Sequence, residues 1–252
     1  MTIFYCADNF ASKMTCIYDA WASGLGHENV RLQLEPISQL SFLEDYVYVE
    51  ADEEKTEKVI RSIQNKISSM AYLWVYYAAL STEEDSLDAI YRFLIKGFQY
   101  GAKICDMLQD PAVIRMHEIK RAVSNEAHSF REFVRFISLD HQVYVAHIEP
   151  KSNVILYVAE YFENRMPSEN FMILDDGRRI AVVHPKDEPM YIRELSEEEF
   201  SRVKEQEEGI PDPFESYWKE YFDSIAIKER TNPACQRNHF PLWKRKHVTE
   251  FQ

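Results

Sequence analysis

Glycine is scarce, with six in 252 residues. Neither the GLG at 24–26 nor the GFQYG at 97–101 has the spacing of a phosphate-cradling loop, which removes the common mononucleotide and dinucleotide folds. Cysteine is scarce as well. Cys6, Cys16, Cys105 and Cys235 are scattered and form no CxxC pair, so they build neither a disulfide framework nor a zinc or iron–sulfur site. Thiols of this kind suit a reducing cytosol. The most apolar stretch, MAYLWVYYAAL at 70–80, is well short of the roughly 20 residues that span a bilayer. MTIFYCADNF, at 1–10, has no signal-peptide pattern. G-x-S-x-G elbows, internal repeats, low-complexity tracts and Gly/Ser linkers are also missing. The expectation is a cytoplasmic, soluble chain with no membrane contact, no metal and no cofactor.

Positive charge is the minority sign, with 29 basic against 42 acidic residues and a net charge of −13. That argues against a surface coated for polyanions. It leaves room for a local basic face, because salt screens exposed charges beyond about 8 Å. One such place stands out: from Lys228 to His247 six cations meet a single carboxylate, Glu229. Apolar residues make up 46% and charged residues 28%, the proportions of an ordinary globular protein with ample core.

Periodicity predicts an α+β fold. TIFYC reads as a strand, followed by a helix capped by Asp8 or Asn9 and running to Trp21, which Gly24 and Gly26 end. DYVYVEAD alternates and reads as a second strand beside the first. Helices are expected over 53–67, 70–80 (apolar on all sides, hence buried), 84–105 and 111–130, the last opened by Pro111. FVRFISL and QVYVAHI then form a hairpin around Asp140–His141. A helix with Ile155, Ala159, Phe162 and Met166 in line follows, then a second hairpin around a two-residue Asp-Gly turn. Hairpin, helix, hairpin suggests a central four-stranded antiparallel sheet with a helix on one face. The chain therefore reads as one domain, 1–252. A mainly helical part extends to about 130 and a sheet part covers about 131–190. An acidic connector at 191–211 carries a short helix, and a C-terminal helix with a basic tail fills 212–252. In that helix Asp212 caps, Pro213 takes the first turn and Glu215 completes a capping box.

Two sets of residues bear on function. On the helix 111–130, His117, Arg121, Ser124 and His128 share a face, with Arg131 and Arg135 beyond it. Such an edge could hold a phosphate or, with Glu126, supply acid–base chemistry on a nucleobase or phosphodiester. It is equally what a solvated helix face presents. His117 and His128 lie roughly 16 Å apart along a straight helix, too far to share a metal ion. In the tail, Arg230, Arg237, Lys244, Arg245 and Lys246 can neutralise phosphates. Asn232, Gln236 and His239 can hydrogen-bond, and Phe240 and Trp243 can stack on bases. The same tail would also serve as a strap pinned onto the protein's own acidic stretch 194–208.

The tail carries a resemblance. Ile227, Glu229, Arg230, Asn232, Pro233, Gln236, Pro241, Glu250 and Phe251 match the pattern I-x-E-R-x-N-P-x-x-Q-x-x-x-M-P-x-R-Y-W-x-x-x-x-E-F. That pattern ends the members of a bacterial family grouped with DNA metabolism, whose biochemical function is unknown. EAHSFREFVRF and IEPKSNVI…FENR are similar to its central motifs. The likeness extends over essentially the whole chain. It departs at Cys6 and Ala7, where the family has Asp-Gly, at Glu132, where it has glycine, and at Trp243-Lys244-Arg245, where it has Arg-Tyr-Trp. Family members are typically encoded beside a radical SAM iron–sulfur protein assigned to DNA modification or repair, and some are fused to uracil-DNA glycosylase. The resemblance thus implies an accessory protein of DNA repair or modification, with DNA and a radical SAM protein as partners. The chain itself lacks a CxxxCxxC triplet.

Overall fold

Thr2–Cys6 is the middle strand, β1, of a three-stranded sheet in the computed structural model, which describes residues 1–37, 41–139, 142–208 and 213–251. The chain divides into two units, residues 1–124 and 125–252.

In the first unit, β1 leads into α1 (Phe10–Ala22), whose start is set by Asn9: its side chain accepts the Ser12 amide at 2.8 Å. Strands β2 (Val30–Leu34) and β3 (Asp45–Tyr48) flank β1, and both run parallel to it. β3 was expected from its alternation. β2 was not, although Val30 and Leu32 are buried with Arg31 exposed between them. The helices α2 (Glu53–Lys66), α3 (Ser69–Ala79), α4 (Ser86–Tyr100) and α5 (Pro111–Phe133) follow close to their expected bounds. Asp52 caps α2 through the Lys55 amide, and Ser68 caps α3 through the Ala71 amide. The expectation that α3 is buried on every side is corrected. Trp74, Val75 and Ala78 face the core, but Met70 and Leu73 are exposed.

The glycines of GFQYG have structural roles. Gly97 lets α4 approach α2 so closely that a Cβ there would come 2.7 Å from Ile67 Cδ1. Gly101 caps α4 at φ +62°, a backbone conformation that glycine adopts freely. Among the described residues of this unit, one charged side chain is buried. The Lys13 ammonium, in a side chain 1% exposed, donates to the Ala79 carbonyl at 2.6 Å and pairs with Asp8, the compensation a buried cation requires.

In the second unit, β4 (Ile137–Leu139) and β5 (Val143–Ile148) pair antiparallel. Their expected turn, Asp140–His141, lies outside the described residues. After α6 (Ile155–Arg165), β6 (Phe171–Asp175) runs parallel to β5, and β7 (Ile180–His184) returns antiparallel. β8 (Tyr191–Glu194) adds an edge from within the expected connector. The four-stranded antiparallel sheet is therefore corrected to a five-stranded mixed sheet, β4-β5-β6-β7-β8. The physical reason is the helical crossover: a connection through α6 returns the chain in the same direction, so the two hairpins join through a parallel pair. Helices cover both faces. Alternation in β6 sends Met172 and Leu174 toward Phe200 and Val203 of α7 (Glu197–Glu208). Phe171 points the other way, where Phe136 links it to Phe162 of α6.

The Asp-Gly turn is also corrected. Four residues separate β6 from β7, and Asp175 Oδ1 accepts the amides of Gly177 and Arg178 at 3.1 Å each. Asp176 is thereby freed for another use.

Helix α8 (Pro213–Ile225) forms as expected. Its expected cap, Asp212, and the Glu215 side chain lie outside the described residues. Trp218 donates to Glu250 and Phe222 meets Phe251, but Phe214, Tyr217, Tyr221 and Ile225 stay exposed. The tail is ordered into α9 (Pro233–His239) and short 3-10 turns at Leu242–Arg245 and Thr249–Phe251. Phe240 and Val248, both buried, pin it down.

Asn9→Ala removes the α1 cap and is expected to cost about 1 kcal/mol of stability. Asn9→Ser should recover most of it, and urea denaturation of the pair checks both.

Candidate functional site

A dense polar arrangement of the second unit gathers around two loops, residues 149–152 and 175–178. Glu126 lies on α5 with 8% exposure. Its carboxylate accepts the Lys151 amide at 2.7 Å and the Ser152 amide at 3.0 Å. Arg178 grips the same loop from the other side, donating to the carbonyls of Pro150 and Lys151 and to Asp175. Burial pushes the Asp175 carboxyl up despite this guanidinium. The loop backbone is thus held at both its donors and its acceptors.

Above it opens a concavity of about 660 Å³ lined by Glu149, Pro150, Lys151, Gly177, Arg178, Trp243 and Lys246. Lys246 pairs with Glu149 at 2.5 Å, which raises the ammonium's pKa. Two more ammonium groups lie close to one indole. Lys151 Nζ is 5.0 Å from the centre of the Trp243 ring and Lys244 Nζ 5.3 Å. Burial lowers the Lys244 pKa, the Glu126 charge opposes that, and repulsion from Lys151 adds to it. Neither Lys151 nor Lys244 has an ion pair among the described residues. Like charges crowded without an ion pair favour an anionic ligand.

Beside this lies a buried pair that the sequence did not mark. His147 Nδ1 meets Asp176 Oδ1 at 2.6 Å, and the His247 ring stacks on His147 with centroids 5.6 Å apart. Asp176 Oδ2 also meets Lys204 at 3.2 Å. Burial would raise the Asp176 carboxyl, but the hydrogen bond and charge of His147, with His247 and Lys204, bring it below the usual range. Burial lowers the His247 pKa, the Asp176 and Glu149 charges resist, and His147 and Lys246 reinforce the fall. Its Nε2 is buried without a hydrogen bond among the described residues. Lysine ammonium groups already neutralise the carboxylates here. No group of three or more His, Cys, Asp or Glu among the described residues could hold a metal ion.

The residues expected to form the site are distributed as follows. His117 packs half-buried on Trp74, and Arg121 is exposed; both belong to the first unit. In the second unit, His128 is exposed and lies 3.2 Å from Glu132. Arg131 donates to the Tyr157 carbonyl, and Arg135 pairs with Glu250 at 2.6 Å. Burial and the Arg135 hydrogen bond act on Glu250 in opposite directions, and the hydrogen bond prevails, so its pKa is lowered. Arg245 donates to the Phe240 carbonyl. Asn232 caps α9 through the Cys235 amide. Arg230, Gln236, Arg237 and His239 are exposed. Phe240 is buried against Phe133 and offers no free face, whereas Trp243 is 37% exposed. The structure adds Glu149, Lys151, Arg178, His147, Asp176 and His247. Asp176 had been assigned to the turn, and no spacing in the sequence joins it to His147.

The fold and site define an α+β protein whose mixed-sheet unit carries a cationic concavity. A family model, the domain of unknown function DUF4130, matches residues 84–250, well over half of the chain and every residue of the concavity. The protein belongs to that family. No curated protein and no solved structure matches it. Among the described residues no helix is long and apolar enough to cross a membrane.

Glu126→Ala leaves the buried Ser152 amide and the part-buried Lys151 amide without their acceptor and is expected to destabilise by about 1–3 kcal/mol for the buried one, less for the other. Glu126→Gln keeps one acceptor and should fall between, as urea denaturation would show. Acid should also weaken this unit. His247 and Asp176 have folded pKa values below their ordinary 6.5 and 3.8, so each binds fewer protons folded than unfolded. Their stabilisation is complete above the ordinary histidine range and is lost as pH falls, through His247 first and Asp176 at lower pH. Urea denaturation between about pH 7 and pH 5 should show the first loss, and His247→Asn should flatten it.

Proposed function

We propose that this protein is an accessory factor of DNA repair or modification that binds nucleic acid through its C-terminal unit. A radical SAM iron–sulfur protein would be its partner. The observation that carries the binding half is the concavity where Lys151, Arg178 and Lys246 meet around Trp243 with Glu149 as the one lining carboxylate. Cations and an exposed aromatic side by side are what a phosphodiester strand engages. The net charge of −13 limits unspecific adhesion elsewhere and concentrates attraction here. The tail and central motifs support the DNA context and the iron–sulfur partner. The exposed apolar edge of α8 supports a protein partner in general.

A catalytic reading through His117, His128 or Glu126 has less support. Glu126 is occupied by two backbone amides, His128 sits at the surface, and His117 packs on Trp74 in the other unit. A protein-only adaptor has a specific observation in its favour: Lys246 and Arg135 are paired with Glu149 and Glu250, as in a strap. Those carboxylates lie outside the acidic 194–208 stretch that had been expected to receive the tail.

A salt titration separates the two. Anisotropy of a labelled single-stranded DNA oligonucleotide should show affinity falling as salt rises. Replacing both Lys151 and Lys246 by glutamine should reduce the slope of log K against log salt by about 1.4. Absence of binding by the wild type at low salt would leave the adaptor.

A further inference from the structure

The concavity contains more than charge. Trp243 is the exposed aromatic of a turn, Leu242–Arg245, that is anchored on both sides. Before it, Phe240 is 4% exposed and stacked on Phe133 at 3.8 Å. After it, Arg245 donates back to the Phe240 carbonyl and Val248 is 3% exposed. Phe130 supports the indole at a ring distance of 6.3 Å. An aromatic side chain held on a fixed turn loses little freedom when a flat ligand covers it, and so is prepared for stacking.

We propose that Trp243 is the platform for one unpaired nucleobase, and that Lys151 is the group the base displaces. This rests on the nucleic-acid reading and names the form of nucleic acid the site selects. The Lys151 amide is fixed by Glu126 and its carbonyl by Arg178, so only its flexible stem and ammonium move. In the free protein that ammonium sits over the indole. A cation over an exposed ring is a weaker contact than a base stacked on it, so an arriving base takes the face. The released ammonium stays tethered at the rim of the concavity, within reach of the phosphate adjoining the stacked base. Lys246 and Arg178 line the same opening. A duplex cannot offer this contact without unstacking a base, which carries its own cost. The site therefore prefers single strands, or a base extruded from a duplex, to an intact helix.

The test compares Trp243→Leu and Trp243→Phe with the wild type on one oligonucleotide, single-stranded and as a perfect duplex, with salt titrations for each. The wild type should bind the single strand more tightly. Trp243→Leu should weaken single-strand binding by about tenfold, leave duplex binding unchanged and leave the salt slope unchanged, because no phosphate contact is lost. Trp243→Phe should restore most of the affinity. If Trp243→Leu binds the single strand as well as the wild type does, or the wild type prefers the duplex, the platform is overturned, while salt-dependent binding would still support the phosphodiester reading. If the wild type binds neither form, that underlying reading is overturned too.

Discussion

Glu126 holds the second unit's site together through two hydrogen bonds. A carboxylate 8% exposed accepts the consecutive amides of Lys151 and Ser152. Hydrogen bonds to a charged acceptor are worth about 1.5–3 kcal/mol each, and a buried carboxylate without them would be strongly disfavoured. The loop cannot leave without stranding a charge, and the charge cannot stay without the loop. Arg178 completes the constraint by occupying the carbonyls of Pro150 and Lys151. Every other feature of the concavity depends on where this loop sits, including the base of the Lys151 side chain that faces Trp243.

The C-terminal segment meets that loop by a different balance of forces. Its anchors are apolar: Phe240 on Phe133, Phe251 near both Phe240 and Phe222, and buried Val248. Charge then sets its position. Arg135 reaches Glu250, which also accepts from Trp218, so one carboxylate joins the strand approach, α8 and the last turn. The tail's cations thus fall into two classes. Arg245 and Lys246 hold internal acceptors, whereas Arg230 and Arg237 are exposed and Lys244 lies against Trp243 without an ion pair among the described residues. A strap and a binding face are two faces of the same segment here.

Local rules were legible in the sequence. Asn9, one of the two caps expected for α1, does cap it, and Pro111 opens α5. Long-range pairing was not. β8 was hidden because all four of its residues are exposed, so it lacks the alternation that marks a half-buried strand. β2 has the alternation, Val30-Arg31-Leu32-Gln33-Leu34, but over only five residues next to a glycine-rich turn. The parallel join of β5 and β6 depends on how α6 packs, which no window of sequence contains. The site was half legible for the same reason. The tail's charge and Trp243 could be read directly, whereas Lys151 and Arg178 come from loops 92 and 65 residues before Trp243 in the numbering and meet it only through tertiary contacts.

The buried His147–Asp176 pair shows why a motif search would pass over this region. Asp176 is adjacent to a residue that does satisfy the turn, Asp175, and the two carboxylates have opposite fates. Asp175 closes the loop and its pKa rises through burial, whereas Asp176 points toward α7 and the tail and its pKa falls through His147. Neighbouring residues at a strand end project to opposite faces of the sheet, and this separates them. One belongs to the backbone of the turn, and the other links β5, α7 and His247 beneath the concavity. His247 directly follows Lys246, whose ammonium lines the opening, and that ammonium contributes to the fall of the His247 pKa.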